Sequence, residues 1–203
     1  MRPLLALAVA VSGCSLALGH PVPDIPVRGV FQKDGTAIVR VEIDPRCFAK
    51  DPLNEPYLEN SVFQSYSEQQ KSDLEKKAAV LIAEVIEFRL LPKGVVAPKF
   101  KMKATTFNNR PLDWNAKLPA SNTIQCAQKP VMITAEWTLE ASKATGYQIA
   151  SAKSAKFSVQ FINNLRNKKQ PLHVLFPGEE SFILRLQGEP APAPPTSDTK
   201  ARK

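Results

Sequence analysis

Hydrophobic and polar positions alternate along much of this chain, and a period of two predicts strands. Over 36–43, Ala37, Val39, Val41 and Ile43 share one face while Ile38, Arg40 and Glu42 share the other, the pattern of a half-buried strand. A second β-rich run covers 27–32, and Lys33-Asp34-Gly35 between the two reads as a hairpin turn, Asp-Gly being a strong short-range hairpin signal. Upstream, Pro21, Pro23 and Pro26 exclude a helix over 20–26 and predict an extended lead-in to the first strand.

One segment carries helical spacing instead. Ser67 with Gln70 three residues on has the form of a capping box, Glu68 and Asp73 favour the positive end of a helix, and Leu74, Ala78, Leu81 and Ile82 recur every three or four residues. The pattern turns β-branched and alternating near Val85-Ile86-Glu87-Phe88, which predicts a helix over 67–83 running into a strand over 84–91. Further short strands are expected at 99–106, 131–139, 147–152, 157–163, 172–176 and 182–186, separated by Pro, Gly and Asn turns. The fold class expected from this series is mainly β: an antiparallel, immunoglobulin-like β-sandwich with one α-helix. The domain spans 20–187, and 188–203, rich in Pro and Ala with almost nothing to bury, is expected to be disordered.

Composition leaves this picture intact. With 203 residues, 43% hydrophobic and 23% charged, the chain is long enough for a single domain with its own core. Its formal charge of +8 raises the question of a polyanion partner. The cations are scattered, however, and no nucleic-acid motif accompanies them, so nucleic acid is not expected as a partner.

The N-terminus sets the compartment. Arg2 followed by the apolar run Leu4 to Val11 is too short to span a membrane, which needs about 20 residues, and reads as a secretory signal over 1–19. Two ways of processing it remain open. Ala17-Leu18-Gly19 offers small residues to an ordinary signal peptidase and would leave His20 first; Val11-Ser12-Gly13-Cys14 matches a lipobox, in which Cys14 would be lipidated. Either way the expected location is extracytoplasmic: periplasmic, secreted or lipid-anchored to the envelope. No second apolar run of about 20 residues follows, so no transmembrane span is expected in the mature chain.

After cleavage at Gly19, Cys47 and Cys126 remain, and an even pair in an oxidising compartment suggests a disulfide worth about 4 kcal/mol by chain entropy. Two unpaired buried thiols are the alternative. No nucleophile elbow or phosphate-cradling loop is present, and with only two histidines, His20 and His173, a site of several histidines is excluded. Glu84 and Glu87, like Glu179 and Glu180, read as solvated carboxylates more readily than as an acid–base pair. Copper is the one cofactor the pattern offers: a terminal His20 could chelate Cu(II) through its amine and ring, with His173 supplying a third nitrogen. Trp114 and Trp137 could stack on a carbohydrate, although a core role suits Trp137 better.

Three stretches together carry a family resemblance. His20-Pro21-Val22-Pro23-Asp24-Ile25-Pro26-Val27-Arg28, then Val41-Glu42-Ile43-Asp44-Pro45-Arg46-Cys47-Phe48 with Asp51-Pro52 and Glu55-Pro56-Tyr57-Leu58, and later Val174-Leu175-Phe176-Pro177-Gly178-Glu179, resemble the extracytoplasmic N-terminal region of HupE/UreJ-type membrane proteins. In that family a soluble domain precedes a helical membrane portion linked to metal handling. Here the Pro/Ala tail follows Leu186 in place of membrane helices, so transport does not carry over. The resemblance implies a non-enzymatic binding or accessory domain with an envelope or membrane protein as partner. An exported copper protein and an unrecognised hydrolase are the alternative classes.

Overall fold

The computed structural model of the chain describes residues 23–106 and 130–187. The signal segment with Cys14, His20, Trp114, Cys126 and the 188–203 tail lie outside the described residues. The hairpin forms as its alternation requires: β1 (Ile25–Phe31) pairs antiparallel with β2 (Thr36–Ile43). Gly35 turns the chain at φ +85°, a conformation that suits glycine. The Asp34 carboxylate accepts from the Thr36 hydroxyl at 2.7 Å and its amide at 2.9 Å, bonds that hold its pKa below the ordinary value. Ala37, Val39, Val41 and Ile43 are all fully buried, as their spacing predicts.

The hairpin sits inside a seven-stranded sheet of order β10-β8-β1-β2-β6-β5, with β9 also paired to β8. Its other members are β5 (Lys101–Thr106), β6 (Val131–Glu140), β8 (Val159–Leu165), β9 (Lys168–Lys169) and β10 (His173–Leu175). This sheet is mixed, which corrects the antiparallel expectation: β1 runs parallel to β8 from Ile25↔Val159 to Phe31↔Leu165. Side-chain period marks a strand without giving its direction. A parallel neighbour needs a long crossover, and here most of the domain intervenes between the two strands. The Asp24 carboxylate fixes the entry to the pair by accepting from Ser158 Oγ and from Gln160 Nε2.

A four-stranded sheet of order β11-β7-β3-β4 packs on the first, built from β3 (Ile86–Leu91), β4 (Gly94–Val96), β7 (Gly146–Ser151) and β11 (Leu184–Arg185). Aromatic rings join the layers. Tyr147 of the small sheet lies 5.1 Å from Phe31 and 5.5 Å from Phe161 of the large one, and Phe88 meets Trp137 edge-on at 6.2 Å. Trp137 is half-buried against the core.

Two helices occur where one was expected. The first, α1 (Asn60–Gln64), is a single turn with no buried residue, too short to give a periodic signal. The second, α2 (Glu68–Val85), starts at the reciprocal Ser67–Gln70 capping box and buries Ala78, Ile82 and Val85. It runs two residues beyond the predicted end, because Ile86 is the first residue to turn extended while its amide still donates to Ile82. β4, β9 and a 3₁₀ turn at Pro45–Phe48 were likewise unannounced, being short elements held by tertiary pairing. No helix among the described residues is long and apolar enough to cross a membrane.

Candidate functional site

The C-terminal end of α2 passes into β3 without a loop, and β4 crosses through Ala97 and Pro98 to β5 in the other sheet. These two passages leave a cleft of about 830 Å³ between them, within the size range of small-ligand sites. Ile82 and Ala83 of α2 form one wall. Phe88, Val96, Phe100 and Met102 line the opposite side, with Phe88 and Phe100 in edge contact at 5.7 Å. β4 is the edge strand of its sheet, and Val95 on it is 61% exposed beside the cleft.

Polar groups are few and placed at its margin. Arg89 bridges two carboxylates, its Nη1 lying 2.8 Å from Glu180 and its Nε pairing with Glu87. Hydrogen bonding to Glu180 first, and to Glu87, holds the Arg89 guanidinium above its ordinary pKa. Glu84 and Lys153 are exposed at the rim. Ser151, which ends β7 and also lines the cleft, is buried, and its hydroxyl has no hydrogen-bond partner. The arrangement offers an apolar surface with charged groups at its margin.

Of the sequence-predicted residues that are described, Glu84, Glu87 and Glu180 line the cleft, whereas Cys47, Trp137, His173 and Glu179 lie elsewhere. His173 lies on β10, its ring stacked on Phe182 at 6.0 Å with Nδ1 buried and unpartnered. Among the described residues no group of three or more His, Cys, Asp or Glu side chains converges. Cys47 is buried in the 3₁₀ turn, and desolvation pushes its thiol up to about 12. Glu179 accepts from the Phe176 amide at 2.8 Å, whereas Glu180 and Glu87 serve Arg89. The cleft itself escaped the sequence reading, since Ile82, Phe88, Phe100 and Ser151 reach it from four separate elements or links. The one local signal was the apolar run Val95-Val96-Ala97-Pro98, more hydrophobic than a surface connection requires.

A second polar cluster also went unforeseen. Asp44 caps the 3₁₀ turn by accepting from the Arg46 amide, and its Oδ2 also takes Arg46 Nε at 2.8 Å and Nη2 at 2.7 Å. The guanidinium lies 3.8 Å over the Tyr57 ring. Burial opposes the charge, yet hydrogen bonding to Asp44 leaves the Arg46 pKa above its ordinary value. This cluster braces the loop that precedes the helices.

No family model, curated protein or solved structure matches this chain.

Proposed function

We propose that this chain is a non-enzymatic, extracytoplasmic binding or accessory domain that seats part of an envelope membrane protein in the cleft between α2 and the β4–β5 crossing. The observation that carries the reading is the cleft's make-up: an apolar lining of Ile82, Phe88, Val96 and Phe100 beside the charged margin of Arg89, Glu87 and Glu180. Such a lining recognises shape and apolar surface, as partner-binding sites do. The secretory signal over 1–19 supports the compartment, and the resemblance to the soluble region of HupE/UreJ-type proteins supports a polytopic membrane protein as the partner. An immunoglobulin-like character for the two-sheet sandwich belongs to the same proposal.

Copurification from gently solubilised envelopes tests it. The wild-type chain is expected to retain a polytopic membrane protein that Val96→Arg, which puts a charge into the apolar wall, loses. Equal retention by the variant, or recovery of no membrane protein, refutes the reading. The compartment has its own check: mass spectrometry should find either His20 or a lipidated Cys14 as the mature N-terminus, and an intact Met1 in folded protein would overturn export.

A further inference from the structure

The cleft lies off the free edge of the small sheet, and we propose that its occupant is an extended segment of the partner that adds to β4 as a further strand, apolar on one face and basic on the other. The inference rests on the cleft being a partner site and states how that partner is held. β4 terminates the strand order of its sheet among the described residues. The hydrogen-bond alternation shows which of its backbone groups are spare. The Ala152 amide donates to Val85 one step beyond the Ile86–Ser151 pair, so Glu87, Arg89 and Leu91 bond to β7, and Ile86, Phe88 and Leu90 turn their backbone to β4. Phe88 with Val96 and Leu90 with Gly94 are therefore the bonded pairs, and Val95 between them directs its N–H and C=O outward.

The space beside that edge is already walled. Glu87, Arg89 and Val95 line the cleft from the outer face of the small sheet, and Phe88 and Val96 line it from the inner face, so it passes around β4. Ile82 and Ala83 of α2 supply a further wall. A strand laid against β4 places the residue opposite Val95 on the outer face with Arg89, and both of its neighbours on the inner face toward Phe88, Phe100 and Ile82. Those neighbours are selected as apolar. Charge selects the residue between them. Arg89 is held by Glu87 and Glu180, and with Glu84 and Lys153 the margin carries three carboxylates against two cations, an acidic spot on a chain of net charge +8. A lysine or arginine at that position meets the excess carboxylate.

A capped pentapeptide alternating isoleucine and lysine is the probe, titrated into the isotope-labelled chain and followed by NMR. It is expected to bind, and to slow hydrogen exchange of the Val95 amide about tenfold or more. Its affinity should exceed that of the isoleucine–glutamate counterpart by about tenfold or more. Val95→Pro, which removes the spare N–H, should abolish binding. The peptide comparison is read on the wild type and needs no variant to fold. No binding, equal or tighter binding of the glutamate peptide, or a Val95 amide already protected in the free chain overturns strand addition. If Val96→Arg still loses the membrane protein from envelopes in that case, the cleft remains a partner site and only the mode of binding falls. A wild type that retains no membrane protein overturns the partner-site reading itself.

Discussion

Arg46 and Asp44 form an ion pair almost out of reach of water, Nη2 standing 2.7 Å from Oδ2 with the two side chains 3% and 6% exposed. Removing one member leaves the other charge buried and uncompensated, a loss of about 3–5 kcal/mol. Asp44→Ala is therefore expected to destabilise the domain by that amount in urea unfolding. Asp44→Asn/Arg46→Met, which keeps the cap and buries no charge, should be distinctly more stable than the single variant. A cost for Asp44→Ala below about 0.5 kcal/mol, the scale of surface changes, contradicts the account.

Cys47 gives a pH prediction. As a thiol its folded pKa is raised by burial from 9.0 to about 12. The unfolded chain thus releases this proton first as pH rises, and the associated stability, complete below the unfolded value, is lost progressively up to the folded one. Tyr147, raised by burial as well, acts in the same direction. Urea midpoints of reduced protein should fall above pH about 9, with a shallower fall for Cys47→Ala. A disulfide from Cys47 to Cys126 leaves no thiol to titrate, and non-reducing peptide mapping detects that linkage directly.

The Tyr147 ring joins the two sheets, but its hydroxyl is buried without a partner. Tyr147→Phe keeps the ring contacts and deletes the unsatisfied group. Its unfolding free energy is expected to equal or exceed the wild type's by up to about 2 kcal/mol. A loss of more than about 1 kcal/mol would mean that the hydroxyl is bonded.

Gly29 faces Asn163 across the parallel β1–β8 pair, and a Cβ there would run into the Asn163 Oδ1 and come within 2.7 Å of the Phe31 ring. Gly29→Ala should cost about 1–3 kcal/mol through overpacking, visible as a lowered melting temperature. An unchanged melting temperature would show that the two strands are less closely packed than described.

What the sequence made legible follows from which contacts are local. The capping box at Ser67 and Gln70, the Asp34-Gly35 turn and the buried face from Ala37 to Ile43 depend on neighbours within a few residues, and each appears where the pattern places it. Strand direction does not, so the parallel register of Ile25 with Val159 had no signature. β11 is only Leu184–Arg185, shorter than the apolar run 182–186, because Leu184 and Arg185 alone find partners on β7, leaving Ile183 48% exposed. The cleft was illegible for the same reason. Ile82, Val96, Phe100 and Ser151 are unremarkable hydrophobic or small residues until α2 and the β4–β5 crossing bring them together.

The cleft is the centre of the functional account, and site-specific photo-crosslinking in the intact envelope addresses it most directly. A photoreactive residue at Val95, beside the cleft and 61% exposed, is compared with one at Val80, 56% exposed on α2 but outside the cleft lining. The account predicts an adduct with a polytopic membrane protein from position 95, absent from position 80 and lost when Val96→Arg is added. Equal adducts from both positions, or none from position 95, would contradict it.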